Sequence, residues 1–294
     1  MRFSRPLVCA RTYVNANYAA VPCRTVRCPG TRLARARSAS SPPIHLRPYC
    51  TILLDAAAIL HRPAVGRHIY YGWAECLYRF DRNTAGFDSA LTLPRDVDVD
   101  PSGVPTWEVS SEMAQLRSAL STVRTAVVLQ PNGGSVPLAL PAGAVGDAVE
   151  VRLNLTCTGT DATVTLDARR TADGLERASF TFTVDGAAAT VAGPVVETVS
   201  RDPLSQGTQI RATTGSLQLG ADRKVSLRVF IDKSVIESHL NARRSVSTRF
   251  YPLDLTAGTG AFGLRVVNPG THGPVTVDSI EVWGMTSIYS GTAQ

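Results

Sequence analysis

Val225-Ser-Leu-Arg-Val-Phe-Ile-Asp-Lys-Ser-Val-Ile-Glu-Ser-His-Leu-Asn241, followed by Thr248-Arg-Phe-Tyr-Pro252, is the stretch whose reading decides the fold. Val225, Leu227, Val229 and Ile231 alternate with Ser226, Arg228 and Asp232, which is the two-residue period of a half-buried strand. Phe230 interrupts the polar side, so that face also meets a partner. The pattern resumes after Asp232, turns near Asn241 to Arg244, and returns through Val246, Phe250 and Tyr251.

Outward from this hairpin the same period recurs. Val149, Val151, Leu153 and Leu155 alternate with Glu150, Arg152, Asn154 and Thr156. Val164 and Leu166 alternate with threonines, as do Phe180, Phe182 and Val184. Asn132-Gly133, Asp173-Gly174, Asp185-Gly186 and Pro269-Gly270 supply turns between these runs. Near the end the apolar phase shifts from Val275 and Val277 to Ile280 and Val282, which predicts a bulge around Asp278-Ser279. Short strands spaced this regularly over 126–285 predict a β-sandwich or barrel. No internal repeat is visible.

The remaining chain divides in two. Residues 66–120 hold strand-like runs at Gly66–Ala74 and Ala85–Arg95, the second closed by Pro94, which cannot donate to a ladder. A turn at Asp100-Pro-Ser-Gly103 and a short helical spacing over Ser110–Leu120 follow. Residues 1–65 read differently. The net charge of +6 is concentrated there: residues 1–50 hold nine Arg, no Lys and no acid. The later chain is slightly acidic, which argues against a folded nucleic-acid surface. The leader's Arg-rich, Ser-containing composition is that of a transit peptide; translation of GC-rich DNA beyond the true start or out of frame yields the same composition. Either way, disorder is expected over 1–65. No apolar run reaches the roughly 18 residues of a membrane helix, and no secretory core is evident, so no compartment is assigned. Cys9, Cys23, Cys28, Cys50, Cys76 and Cys157 form no C-x-x-C pair, and no metal or cofactor framework is expected.

The hairpin also resembles the C-terminal β-sandwich of glycoside hydrolase family 32, the invertases, inulinases, levanases and fructan exohydrolases. That signature runs from an apolar strand into Asp-x-Ser-x-x-Glu and a Thr-x-x-x-Tyr-Pro-like return. Asp232, Ser234, Glu237, Thr248, Tyr251 and Pro252 fill it here, with His239 where the family usually carries Phe. Gly72-Trp73, Leu93-Pro94-Arg95 and Leu116-Arg117 resemble, in order, the end of the family's five-bladed propeller and its connector, and Trp283 resembles the terminal Trp of the sandwich. The resemblance covers about 66–285. It implies an all-β chain: a C-terminal two-sheet antiparallel β-sandwich over 121–288, preceded by a remnant of the last propeller blade and connector over 66–120 and a disordered basic N-terminus.

The resemblance implies hydrolysis of β-fructosidic bonds in sucrose or fructans by two carboxylates, a nucleophile and an acid/base. The family's Asn-Asp-Pro-Asn-like nucleophile motif does not occur in this sequence. Glu75-Cys76 matches the family's acid/base dipeptide but follows the late Gly-Trp strand; Arg201-Asp202-Pro203 matches its substrate-binding triplet but falls inside the sandwich. Both read as chance matches. Asp232 and Glu237 are five positions apart, on opposite faces unless a bend intervenes. The expectation is a turn shaped by Asp232 and Ser234, with Glu237 paired to Arg244 or Arg249. His239 reads as a solvated or core-edge histidine. Trp73, Trp107 and Trp283 read as packing residues ahead of sugar platforms. Asn154-Leu-Thr156 fits a glycosylation sequon in mid-strand, and Gly133-Gly134 is a turn, not a phosphate loop.

No catalytic, cofactor-binding or metal residue is therefore assigned. The first reading is a truncated family-32-like chain, inactive alone, with sucrose or a fructan oligosaccharide as ligand and no nucleic acid or membrane partner. The second is a non-catalytic carbohydrate-binding or assembly module that self-associates or joins a full-length relative. The third is an unrelated lectin-like sandwich; it predicts that residues 66–120 do not pack on the sandwich as blade and connector.

Overall fold

A computed structural model of the chain describes residues 58–62, 66–75, 89–101, 103–140, 148–171, 174–199, 208–211, 215–250 and 263–286. The expectations for residues 1–57, for Cys76, for Arg201–Pro203 and for Tyr251-Pro252 lie outside them. The architecture is all-β and antiparallel. Among the described residues nineteen strands form two large sheets and two smaller ones, with one short 3-10 helix beside them.

One large sheet runs β17(Arg244–Arg249), β16(Val235–Leu240), β15(Lys224–Asp232), β9(Ala148–Thr156), β19(Val275–Met285), β7(Arg117–Leu129). The other runs β13(Thr208–Arg211), β12(Thr190–Val199), β11(Arg177–Asp185), β10(Ala162–Arg170), β18(Gly263–Asn268), β8(Gly134–Leu138), with β14(Ser216–Gln218) beside β12. One apolar cluster joins them. Val149, Val151, Leu153, Val225, Leu227, Val229 and Ile280 from the first sheet pack with Val164, Leu166, Phe180, Phe182 and Val266 from the second. Each set comes from alternate positions, so the period read in the sequence is the core of a two-sheet sandwich. At about 25 cal/mol per Å² of apolar surface, this burial is the main force for folding.

The turn chemistry follows. Asn132 and Gly133 take φ of 59° and 89° between β7 and β8; the second suits a residue without Cβ. Val275 and Val277 are buried, then Ile280 and Val282, so the predicted phase shift is present. Its geometry is two-sided. Asp278 and the opposed Ala126, at φ 51°, drop out of pairing while the β7–β19 register on either side continues unchanged.

The segment before the sandwich forms a four-stranded sheet in the order β1(Ala58–Arg62), β2(Arg67–Tyr71), β5(Arg95–Val99), β6(Pro105–Val109), with β3(Trp73–Glu75) and β4(Ser89–Leu91) as a separate pair. Residues 58–62 correct the expectation of disorder up to 65: they pair with β2 along their whole length. Pro94 does not close a strand as expected: β4 already stops at Leu91, and β5 starts at Arg95, directly after the proline. Gly103 turns at φ 82°, its N–H donating to the Asp100 carbonyl at 2.8 Å. The helical spacing over Ser110–Leu120 becomes a 3-10 helix at Ser111–Leu116 only; from Arg117 the chain is already β7. Arg117 pairs with Met285 in the β19 ladder, which captures its backbone.

Candidate functional site

The sheet that carries the 225–241 hairpin is covered on both sides. All six residues of β16 are buried. Its even-numbered members face the sandwich core, and Glu237 and His239 face the other way. Phe230, the residue that broke the polar face in the sequence, is 5% exposed. The covering partner is the set of strands β2, β5 and β6 with the Leu93 backbone, joined through charged groups.

Two carboxylates anchor this seam. Glu237 accepts from the Leu93 backbone N–H at 2.6 Å, from Arg95 Nη2 at 2.6 Å and from the Ser247 hydroxyl at 3.1 Å. Arg95 also donates to the hydroxyls of Ser245 at 2.7 Å and Ser247 at 2.8 Å. Its guanidinium lies 5.9 Å from the centre of the Tyr70 ring, which meets Trp107 edge-on at 5.3 Å. Burial pushes the Tyr70 phenol up, opposed by Arg95. Glu150, fully buried, accepts from Arg117 at 2.7 and 2.8 Å and from Arg228 at 2.9 and 3.2 Å. Arg228 continues to Glu108 on β6 at 2.6 Å. Arg243 pairs with Asp100, and the Trp107 N–H donates to the Ala242 carbonyl at 2.6 Å.

This corrects the partner expected for Glu237. Arg244 is opposite Leu240 in the ladder, so it projects to the core face, while Glu237 projects to the seam. Arg244 instead donates to the carbonyls of Gly193 and Gly215, and burial lowers its pKa. Of Arg249 only the backbone is described. The turn assigned to Asp232 and Ser234 is present: Lys233 takes φ 51°, and the Ser234 carbonyl accepts from the Phe250 N–H at 2.8 Å.

His239 is neither solvated nor at the core edge. It is 3% exposed, and neither ring nitrogen has a hydrogen-bond partner. Its ring meets Phe230 edge-on at 6.0 Å. Burial, with Arg95 and Arg228 adding to it, holds its pKa well below the ordinary 6.5. Glu237 stands 3.9 Å from Nε2, but Arg95 already occupies that oxygen, so the carboxylate does not offset the burial.

The two buried carboxylates do not form a reacting pair. Glu237, Phe230 and Glu150 stand directly opposite one another on β16, β15 and β9. With strands about 4.8 Å apart, their Cα atoms are about 10 Å apart. A retaining glycosidase holds its two carboxyl groups about 5 Å apart around an open pocket. Here each is enclosed: Glu150 by two guanidiniums, Glu237 by one guanidinium, a backbone N–H and a hydroxyl.

Two tryptophans, Trp107 and Trp283, lie at the same seam. Trp283 carries the Arg117 guanidinium at 3.8 Å over its ring, with Arg152 at 5.6 Å, so its face is covered by cations and not by the apolar core. Trp107 packs on Tyr70. Only the backbones of Trp73 and Glu75 are described, both in β3. Asn154 lies in mid-strand on β9 and donates to the Ser279 hydroxyl at 3.0 Å. Among the described residues no group of His, Cys, Asp and Glu is placed to hold a metal, and no helix is long and apolar enough to cross a membrane.

Sequence reasoning missed Arg95, Glu150, Arg117 and Arg228 as members of this network. The one signal available was the Arg of Leu93-Pro94-Arg95, 142 positions from its partner Glu237.

The fold is thus an antiparallel sandwich with a charged seam to a smaller preceding sheet. The family model described as "Glycosyl hydrolases family 32 C terminal" matches residues 112–284, and the chain belongs to that family. Among solved structures, fructan 1-exohydrolase IIa from Cichorium intybus is similar at a TM-score of 0.59 and 18% identity, over 79% of this chain and 48% of that one. Exo-inulinase from Aspergillus awamori is similar at 0.56 and 16%, over 79% and 43%. Sucrose-6-phosphate hydrolase from Lactobacillus gasseri is similar at 0.51 and 16%, over 79% and 41%. At these identities the likeness is one of fold. The chain spans about half the length of these enzymes or less. The Cichorium enzyme has also been solved with 1-kestose bound. A search of curated proteins found no match.

Proposed function

We propose that the described chain is the accessory, non-catalytic part of a family-32 β-fructosidase-like protein. The whole protein hydrolyses β-fructosidic bonds in sucrose or fructans, and the sandwich serves as its scaffold. On this reading residues 66–120 are the last propeller blade and connector, and 121–288 the sandwich domain. The observation that carries it is the seam. Its two buried carboxylates, Glu237 and Glu150, are locked by Arg95, Arg117 and Arg228, which suits them to holding two sheets together and not to proton transfer or nucleophilic attack. The packing of residues 67–110 on the sandwich also disfavours an unrelated lectin-like sandwich. A carbohydrate-binding module is the second reading, favoured by an open groove beside the seam.

The test is sucrose and inulin hydrolysis by the purified 294-residue polypeptide. No fructose release above a boiled control is expected. Sustained turnover that survives Glu237→Gln and Glu150→Gln would place catalytic groups elsewhere in the chain and overturn the reading.

A further inference from the structure

The groove has a volume of about 540 Å³ and opens on the outer face of the β15–β9 pair. This is within the range of about 300–1,000 Å³ typical of small-ligand sites. Its walls come from β9, β15 and β14, Glu108 of β6, His239 of β16, and the turns before β15 and after β16. Four cations line it, Arg152, Lys224, Arg228 and Arg243, against two acids, Glu108 and Asp222. Arg228 and Arg243 are consumed by ion pairs with the seam. Arg152 and Lys224 are not. Arg152 reaches Glu281 only at 3.9 Å, and the ammonium of Lys224 has no ion-pair partner among the described residues.

The register places these two cations around a polar row. Arg152 is opposite Arg228, and Asn154 is opposite Ser226, midway along β15 between Arg228 and Lys224. Four residues of strand separate the levels of Arg228 and Lys224, about 14 Å. Two long basic side chains at such a spacing can close on one small anion over Asn154 and Ser226. Beside them a ring edge of His239, 3% exposed, contributes to the wall, with both its nitrogens sealed from the groove. No Trp, Tyr or Phe lines the groove, so a neutral sugar would find no ring to stack on. Recognition here has to come from charge and hydrogen bonds.

We propose that this groove binds a sugar carrying one anionic substituent, with Arg152 and Lys224 taking the anion and Asn154 and Ser226 facing the hydroxyls. Burial and the neighbouring Arg228 both lower the pKa of Arg152, as expected for a cation short of a counter-charge. The site is independent of whether the chain hydrolyses anything.

Titration calorimetry on the full chain tests it with three probes: fructose 6-phosphate, fructose and inorganic phosphate. Fructose 6-phosphate is expected to bind at least tenfold more tightly than either of the others, and to weaken severalfold as NaCl rises from roughly 50 to 300 mM, because salt screens the pairing. Arg152→Gln is expected to lose at least tenfold. Lys224→Glu, an exposed change at the start of β15 that leaves the core untouched, is expected to lose at least as much. Equal affinity for fructose and fructose 6-phosphate, or an unchanged affinity in Lys224→Glu, overturns the proposal. Inorganic phosphate binding as tightly as the sugar phosphate overturns its sugar half and leaves a bare anion site.

Discussion

Replacing His239 by Phe separates two contributions that the structure assigns to this residue. The imidazole is buried with both nitrogens unpartnered, and leaving buried polar groups unsatisfied costs about 1–3 kcal/mol. Phe removes both groups and keeps a ring against Phe230. Packing strain from the larger ring offsets part of this, so a modest gain in stability is expected at pH 7.5, on the order of 1 kcal/mol. The second contribution depends on pH. Below pH 6.5 the unfolded chain binds a proton on His239 that the folded chain excludes, because the folded pKa is depressed. The unfolded state then holds more protons, and stability falls as pH falls. Each pH unit below 6.5 through which the folded ring stays neutral costs the wild-type chain up to about 1.4 kcal/mol that His239→Phe retains. Urea unfolding of both proteins at pH 7.5 and 5.0 measures this directly. All other titrating groups are common to the two chains and cancel in the difference. The advantage of the Phe variant should grow on acidification, by up to about 2 kcal/mol. A constant advantage, or one that shrinks toward pH 5.0, would refute the assignment of a neutral, sealed imidazole.

The Arg95–Glu237 pair gives a second expectation. Arg95→Met or Glu237→Leu alone strands a buried charge and should cost about 3–5 kcal/mol, whereas the double replacement should cost much less than the sum; additive losses in a denaturant cycle would contradict the direct pairing. A third concerns the tie between β2 and the 3-10 helix. Hydrogen bonds from Arg67 hold the Glu112 carboxyl down to about 2, so its stabilising charge is present above the ordinary 4.5 and lost only as pH falls through about 2. A carboxyl ¹³C titration of Glu112 with its midpoint near 4.5 would contradict the pairing.

The sandwich was legible because its information is local. Each strand writes its buried face into alternate positions, as in Val149 to Leu155, and each turn needs a residue such as Gly133 that tolerates positive φ. The burial of Phe230 could be read for the same reason, as an exception within a two-residue period. The seam was not legible in this way. Glu237 was recognised as a carboxylate needing an arginine, but the nearest arginines in sequence, Arg244 and Arg249, were chosen over Arg95. Only the parity of the β16–β17 register excludes Arg244, and only the docking of β5 supplies Arg95. His239 failed for a related cause: a single histidine carries no sign of what covers it. The strand at 58–62 was missed because five residues next to an arginine-rich leader offer too short a period to detect.

The complete burial of β16 also limits how this ribbon can evolve. A strand on a sandwich surface ordinarily has every second position free to drift under weak selection. Here a change at Ile236 or Leu240 disturbs one layer and a change at Glu237 or His239 disturbs the other. Substitutions should therefore accumulate in compensating sets, with partners more than a hundred residues upstream, and the ribbon should change more slowly than β7 at the opposite edge of the same sheet.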